Sequence, residues 1–216
     1  ILLMSLMLLV GFAVFVFAEE LRIPIQKGWN LVYGLNGAKT PTDILSGSEI
    51  QSQNIKAIYV YLPQINNYGR VHPNPEVDKI LQYLTVDEVE NSVFWVYSDK
   101  SGNAKFNVDT PIYQFDQRVL NQGWNFVGIT ADMIPGPQDT NLKDIKGNCN
   151  IEKSYFWIAE TQKWEKAPIE YAQLEERSLG SGWIIKVSNN CKLGTSNVEN
   201  IPSLPQLPND QKKCTD

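Results

Sequence analysis

The motif at residues 28–32 (GWNLV) is repeated with one change at residues 123–127 (GWNFV), and this repeat is the strongest indication of the fold in the sequence. A second set of matching residues follows each motif, and the spacing between the two sets is almost the same as that between the motifs. Each aromatic residue of the first set corresponds to an aromatic residue of the second. These residues are Tyr59, Tyr61 and Tyr68 in the first copy and Tyr155, Trp157 and Trp164 in the second. Similarity kept over so long a spacing indicates two copies of one structural unit.

The amino-acid sequence of each copy is typical of β structure. Residues 58–71 and 155–167 are rich in β-branched and aromatic residues on both sides of a turn, which predicts a hairpin in each copy. A further apolar strand is predicted to close each copy, at 93–97 and 182–187. The pattern favours a mainly β fold of two tandem small β-sheet units, each with a short helix, packed together.

Helical patterns are few. Residues 76–89 place apolar side chains near one face and predict a helix, and residues 171–179 predict a shorter counterpart. Single helical turns are predicted at 41–45 and 141–145. Residues 104–108 follow a Gly-containing turn, so we expect them to pair back onto the strand before that turn.

The N-terminal stretch points to export. Residues 1–18 carry no charge, and Val16 and Ala18 occupy positions −3 and −1 of a signal-peptidase site. A cleaved secretory signal is the first interpretation, and an uncleaved anchor is the alternative, because 18 residues lie at the lower edge of what spans a bilayer. A pilin-like helix is disfavoured, since Ser5 stands where bacterial pilins typically have Glu. All three interpretations predict an extracellular or cell-surface location.

These observations divide the chain into five segments. Residues 1–18 are expected to be a signal peptide or membrane anchor, followed by β repeat 1 at 19–108. A connection at 109–117 leads to β repeat 2 at 118–195, and residues 196–216 form a Pro-rich polar tail. The connection is too apolar for a flexible linker, which favours packing of the two units against each other.

The cysteines predict a disulfide. Pairs of cysteines in exported proteins are normally oxidised, and Cys149 and Cys191 both lie in the second repeat. Cys214 lies in the tail and is free, joined to another chain or paired outside this sequence. Its presence in the bridge instead would mean that the tail folds back onto the second repeat. Three widely spaced cysteines and one histidine do not form a zinc-type ligand set, so no metal site is expected.

Several function classes are disfavoured. The net charge is −5 and no basic stripe is present, which argues against a nucleic-acid partner. His72 is the one histidine and has no recognisable nucleophile motif beside it. Carboxylate pairs lie in helix-like polar stretches, where they are typically solvated. We therefore expect no catalytic residues, no enzymatic activity and no cofactor.

The aromatic residues are the candidate binding groups. Most are expected to fill the core, but Tyr68 and Trp164 follow the hairpin turns and are predicted to be partly exposed. Exposed Tyr and Trp on a rigid sheet stack on sugar rings or anchor protein interfaces. Tyr68 and Trp164 are therefore the ligand-binding candidates.

The second copy resembles a tandem β repeat of exported and cell-surface proteins of archaea and bacteria. The resemblance rests on 123–128 (GWNFVG), 155–157 (YFW), Trp164, 180–187 (GSGWIIKV) and 191–193 (CKL). The first copy departs from it, with no glycine before its closing strand, no cysteines and a longer insert. The resemblance implies an accessory or adhesive surface module and brings no catalytic residues with it.

The expected function is therefore that of a non-catalytic, exported structural or adhesive cell-surface module. The alternative is a carbohydrate-binding module that uses exposed Trp and Tyr side chains. The expected partners are cell-envelope proteins or surface glycans. A membrane would be contacted only through residues 1–18, if these are not cleaved.

Overall fold

The computed structural model describes residues 20–33, 49–107, 114–134 and 140–195. The predicted leader at 1–18, the helical turn at 41–45 and the tail with Cys214 lie outside the described residues, as does most of the predicted connection.

The described chain is mainly β, as predicted. Its strands are β1 (Glu20–Ile25), β2 (Gly28–Tyr33), β3 (Ile55–Leu62), β4 (Asn67–His72), β5 (Val93–Ser98), β6 (Gly102–Asn107), β7 (Val119–Leu120), β8 (Gly123–Gly128), β9 (Thr140–Asn141), β10 (Ile151–Ile158), β11 (Lys163–Lys166), β12 (Gln173–Leu174), β13 (Gly182–Val187) and β14 (Cys191–Lys192). Its α-helices are α1 (Val77–Tyr83), α2 (Val86–Glu90) and α3 (Leu142–Ile145). Both predicted hairpins, both closing strands and the helical turn at 141–145 are confirmed.

Two four-stranded antiparallel sheets share one strand order. The first sheet runs β2-β5-β3-β4, and the second runs β8-β13-β10-β11. Three two-stranded sheets, β1–β6, β7–β14 and β9–β12, flank them. The prediction that residues 104–108 pair with the preceding strand is wrong: β6 pairs with β1. The reason is that β2 and β3 already occupy both edges of β5.

The repeated GWN motif has a structural role. Gly28 and Gly123 adopt φ values of +106° and +101°, which favour glycine because it has no Cβ. The amides of Asn30 and Asn125 are buried and accept the backbone N–H of the residue four positions earlier, at 2.8 and 3.0 Å. Each also donates to the carbonyls of the residues two and four positions earlier. Asn30 and Asn125 therefore stabilise the turns that precede β2 and β8.

The predicted helix at 76–89 is divided into α1 and α2. Leu84 between them is extended, with φ −129° and ψ 137°. The backbone N–H and the hydroxyl of Thr85 donate to Glu88 Oε2 at 2.7 and 2.9 Å, and the Glu88 N–H donates back to the Thr85 hydroxyl. This reciprocal cap starts a new helix instead of continuing the first.

The predicted helix at 171–179 is wrong. Its residues form the short strand β12, which pairs with β9, and a 3-10 turn at Glu176–Ser178. Leu174 is fully buried in the second core cluster, so tertiary packing fixes the extended backbone here.

The disulfide prediction is confirmed. Cys149 and Cys191 are bonded, with Cα atoms 5.0 Å apart. Both cysteines are buried among the apolar residues packed beneath the second sheet, which include Val127, Trp183 and Ile185. The bridge therefore joins the segment before β10 to β14.

A third apolar cluster joins the two large sheets. It contains Leu31, Tyr33 and Val93 from the first sheet and Ile184 from the second. Five half-buried aromatic residues surround these four: Trp95, Trp124, Phe126, Tyr155 and Trp157.

Two glycines allow the close approach of the sheets. Gly128 and Gly182 lie directly opposite each other on β8 and β13. A Cβ at Gly182 would lie 2.5 Å from Leu31 Cγ and 2.5 Å from Val93 Cγ1, and a Cβ at Gly128 would overlap the ring of Tyr33. The contact therefore requires the absence of side chains at both positions.

Candidate functional site

Tyr68 and Trp164, the two predicted binding residues, line the same groove. Tyr68 lies on β4 of the first sheet and Trp164 on β11 of the second, and both line an open groove of about 680 Å³. They are 38% and 42% exposed, in agreement with the expected partial exposure. The remaining lining residues are Trp29, Tyr59, Asn67, Arg70, Glu76, Lys79, Trp95 and Trp157.

Trp95 lies at the centre of the aromatic lining. Its ring meets those of Trp29, Trp157 and Trp164 edge to face, with centroids 6.1, 5.1 and 5.5 Å apart. Tyr59 packs against Trp29 at 6.0 Å, and Trp157 meets Trp164 at 5.1 Å. Edge-to-face contacts of this kind are favourable beyond the area that they bury, so the rings hold each other in place.

Hydrogen bonds fix the position of the β10–β11 hairpin. Gln162 in its turn accepts the Trp29 N–H at 2.8 Å and donates to the Trp29 carbonyl at 2.9 Å. The Trp157 indole N–H donates to the same carbonyl at 2.8 Å. The side-chain amide of Gln162 thus pairs with the backbone at the edge of the first sheet. A glutamine in a hairpin turn carries no distinctive sequence pattern, and this contact was not predicted.

The Tyr68 side of the groove is equally well supported. Tyr68 packs against Tyr61 at 5.5 Å, and Tyr61 packs against Phe126 of the second sheet at 4.6 Å. Burial raises the pKa of the Tyr68 phenol, and a hydrogen-bonding contact with the Trp95 indole opposes this rise only in part. The phenol is therefore neutral at physiological pH and can donate a hydrogen bond.

Three charged residues form the rim beside Tyr68. The Lys79 ammonium donates to the Tyr68 carbonyl at 2.7 Å and lies 3.6 Å from Glu76 Oε2. Glu76 Oε2 also accepts the Arg70 backbone N–H at 2.8 Å, and Arg70 Nη2 lies 4.0 Å from Glu76 Oε1. The hydrogen bond from the Arg70 backbone, assisted by the two nearby cations, lowers the pKa of the Glu76 carboxyl. Glu76 is therefore ionised at neutral pH. Sequence reasoning did not identify these rim residues, because β4 and α1 bring them together only in the fold.

A second cleft of about 450 Å³ is less suited to a ligand. Its lining includes Arg118, whose guanidinium donates to the Gly128 carbonyl and to Thr130 Oγ1 and lies 5.2 Å from the centre of the Tyr33 ring. Burial lowers the pKa of this arginine. Arg118 is therefore engaged in the contact between the sheets.

The groove lined by Tyr68 and Trp164, hereafter the aromatic groove, combines exposed rings with a charged rim. This arrangement can stack against a sugar ring and form hydrogen bonds with its hydroxyl groups. No group of three or more His, Cys, Asp or Glu side chains that could hold a metal ion occurs in the described part of the chain. Among the same residues, no helix has the length and apolar character needed to cross a membrane. Comparison with protein-family models, curated proteins and solved structures finds no match to this chain.

Proposed function

We propose that this chain is a non-catalytic binding module of an exported adhesive protein and that the aromatic groove binds a carbohydrate. The observation that carries the proposal is the pairing of Tyr68 and Trp164. These exposed aromatic side chains come from different sheets and flank one groove.

The groove is built in advance of any ligand. Ring contacts around Trp95 and the hydrogen bonds of Gln162 and Trp157 fix the aromatic lining. A site that is already ordered loses little conformational freedom on binding, which favours affinity. The apolar face of a pyranose ring stacks on Trp164 or Tyr68, and Asn67 and the charged rim offer hydrogen bonds to its hydroxyl groups.

The proposal places the module outside the cell or at its surface. The Cys149–Cys191 bridge supports this location, because disulfides persist in oxidising compartments. The apolar stretch at 1–18 supports it independently as a signal or anchor. We further propose that residues 19–108 and 118–195 are duplicated units of the exported protein.

A structural module that binds a cell-envelope protein is the second candidate. Val77 and Leu81 of α1 are about half exposed, at 52% and 50%, and lie four residues apart on one face of the helix. Neighbouring apolar residues exposed on one surface are typical of protein interfaces. This candidate predicts retention by envelope proteins without any response to glycans.

A glycan array, followed by titration of the intrinsic Trp fluorescence, tests the proposal. We expect a specific glycan to bind, and Trp164→Ala and Tyr68→Ala each to weaken binding by about tenfold, which corresponds to loss of one stacking contact. Tyr171→Ala is the matched control, because Tyr171 is 73% exposed and does not line the groove. An equal loss in the Tyr171→Ala variant, or no response to any glycan, would contradict the proposal.

A further inference from the structure

We infer that the ligand of the aromatic groove is an acidic carbohydrate, whose carboxylate is bound by Arg70 and Lys79. This inference rests on the proposed function and specifies the class of sugar. It follows from the charges of the rim, from the way in which the two cations are held and from their distance to Glu76.

The groove and the whole chain carry charges of opposite sign. The formal net charge of the chain is −5, yet Arg70 and Lys79 face a single carboxylate, Glu76, in the groove lining. The other lining residues are aromatic or amide side chains. Since Glu76 neutralises one cation at most, the groove keeps a positive charge beside Tyr68.

Both cations are held at the groove by the backbone. Lys79 Nζ donates to the Tyr68 carbonyl at 2.7 Å, and Arg70 Nε donates to the Asn74 carbonyl at 3.1 Å. Their side chains are 35% and 39% exposed, so they are accessible to a ligand and partly shielded from water. Partial shielding strengthens attraction to an anion relative to a fully solvated lysine or arginine.

The guanidinium of Arg70 has donors left for a carboxylate. Its Nη2 lies 4.0 Å from Glu76 Oε1, which exceeds hydrogen-bond length. A guanidinium matches the two oxygens of a carboxylate with paired N–H groups, and such charge-assisted pairs are short and directional. A uronic acid carries its carboxylate on the rim of the pyranose ring. Its ring can therefore stack on Tyr68 while the acid group reaches Arg70 and Lys79.

Matched ligands test the inference directly. Oligomers of galacturonate, glucuronate and mannuronate are each compared with their methyl esters, which keep the ring and remove the charge. We expect at least one acid to bind about tenfold more tightly than its ester, and we expect this preference to shrink as salt is raised.

Variants of the rim identify the groups responsible. Lys79→Met and Arg70→Met should remove most of the preference for the acid, whereas Glu76→Gln should increase it and keep an oxygen that accepts the Arg70 N–H. Lys100→Met is the control for overall charge, because Lys100 is exposed in a turn outside the groove. The Lys100→Met variant should prefer the acid over its methyl ester as strongly as the wild type does.

The outcomes separate this inference from the proposed function. If a glycan binds but every acid binds no better than its ester, the acidic preference is refuted and carbohydrate binding stands. An equal loss of preference in Lys100→Met would also refute the role of the rim. If no glycan binds at all, the proposed function fails first.

Discussion

Gly182 is the most direct test of the contact between the two large sheets. The change Gly182→Ala adds one methyl group at a position whose Cβ would lie 2.5 Å from Leu31 Cγ, 2.5 Å from Val93 Cγ1 and 2.7 Å from Leu31 Cδ2. Carbon atoms in contact normally lie about 3.5–4.0 Å apart, so the three neighbouring atoms would each have to move by about 1 Å. Leu31 and Val93 are buried in the cluster between the sheets and cannot move into water.

The expected effect is a clear loss of stability. Adding a methyl group to a closely packed core typically costs about 1–3 kcal/mol, and the three simultaneous contacts place Gly182→Ala at about 2–3 kcal/mol. For a chain of this size, that loss lowers Tm by about 4–12 °C. Urea denaturation and thermal unfolding monitored by Trp fluorescence measure it.

Gly194→Ala is the matched control. A Cβ at Gly194 would approach no closer than 3.9 Å, to Asp116 Cβ, so this variant should unfold like the wild type. Val93→Ala provides a second check, because removing Val93 Cγ1 relieves part of the overlap. Gly182→Ala should then cost at least about 0.5 kcal/mol less in the Val93→Ala background. Equal stability of the two glycine variants would refute the proposed packing of the sheets.

Three further predictions concern stability. Asn30→Ala and Asn125→Ala should each cost about 1–2 kcal/mol in urea denaturation, because each removes several hydrogen bonds to partly buried backbone groups. Reduction of Cys149–Cys191, whose cysteines are 42 residues apart, should cost about 4 kcal/mol in the chain-entropy account, measured as the urea midpoint with and without reductant. Glu76 has a lowered folded-state pKa, so its contribution is present above its unfolded pKa and is lost as pH falls through the lower folded value. Urea midpoints from about pH 7 to about pH 3 should therefore fall less steeply in Glu76→Gln than in the wild type.

Local patterns in the sequence predict most of the strands. Residues 58–71 and 155–167 show dense β-forming residues around a turn, and both are hairpins. The disulfide was also predictable, because Cys149 and Cys191 are the two cysteines in the predicted second repeat. These features depend on residues close in sequence or on a very short list of possible partners.

The errors arise where distant partners decide the backbone. Residues 171–179 have a weak helical pattern, but pairing with β9 and burial of Leu174 impose an extended chain. Residues 104–108 were expected to pair with β5, whose edges are both occupied by strands from elsewhere in the chain. The predicted helix at 76–89 is interrupted by the Thr85–Glu88 cap. The apolar residues keep a helical spacing across this point, so their pattern alone does not indicate the break.

The candidate site was predicted only in part. The positions of Tyr68 and Trp164 after their hairpin turns indicated exposure, which the structure confirms. Their presence in one groove depends on the contact between the sheets, and the charged rim depends on the placement of α1 beside β4. Neither arrangement leaves a pattern in the sequence.

Gly128 and Gly182 lie so close to the first sheet that they limit the ways in which two chains could form a domain-swapped assembly. In such an assembly, the first sheet of one chain would pack against a sheet of another chain. One sheet supplies the bulk of Leu31, Tyr33 and Val93, and the other supplies the space left by its two glycines. Two first sheets placed face to face would set these three side chains against each other with no glycine opposite them, and two second sheets would leave the space at their glycines unfilled. An exchange between chains must therefore join unlike halves, which gives a closed reciprocal dimer or an open head-to-tail fibre.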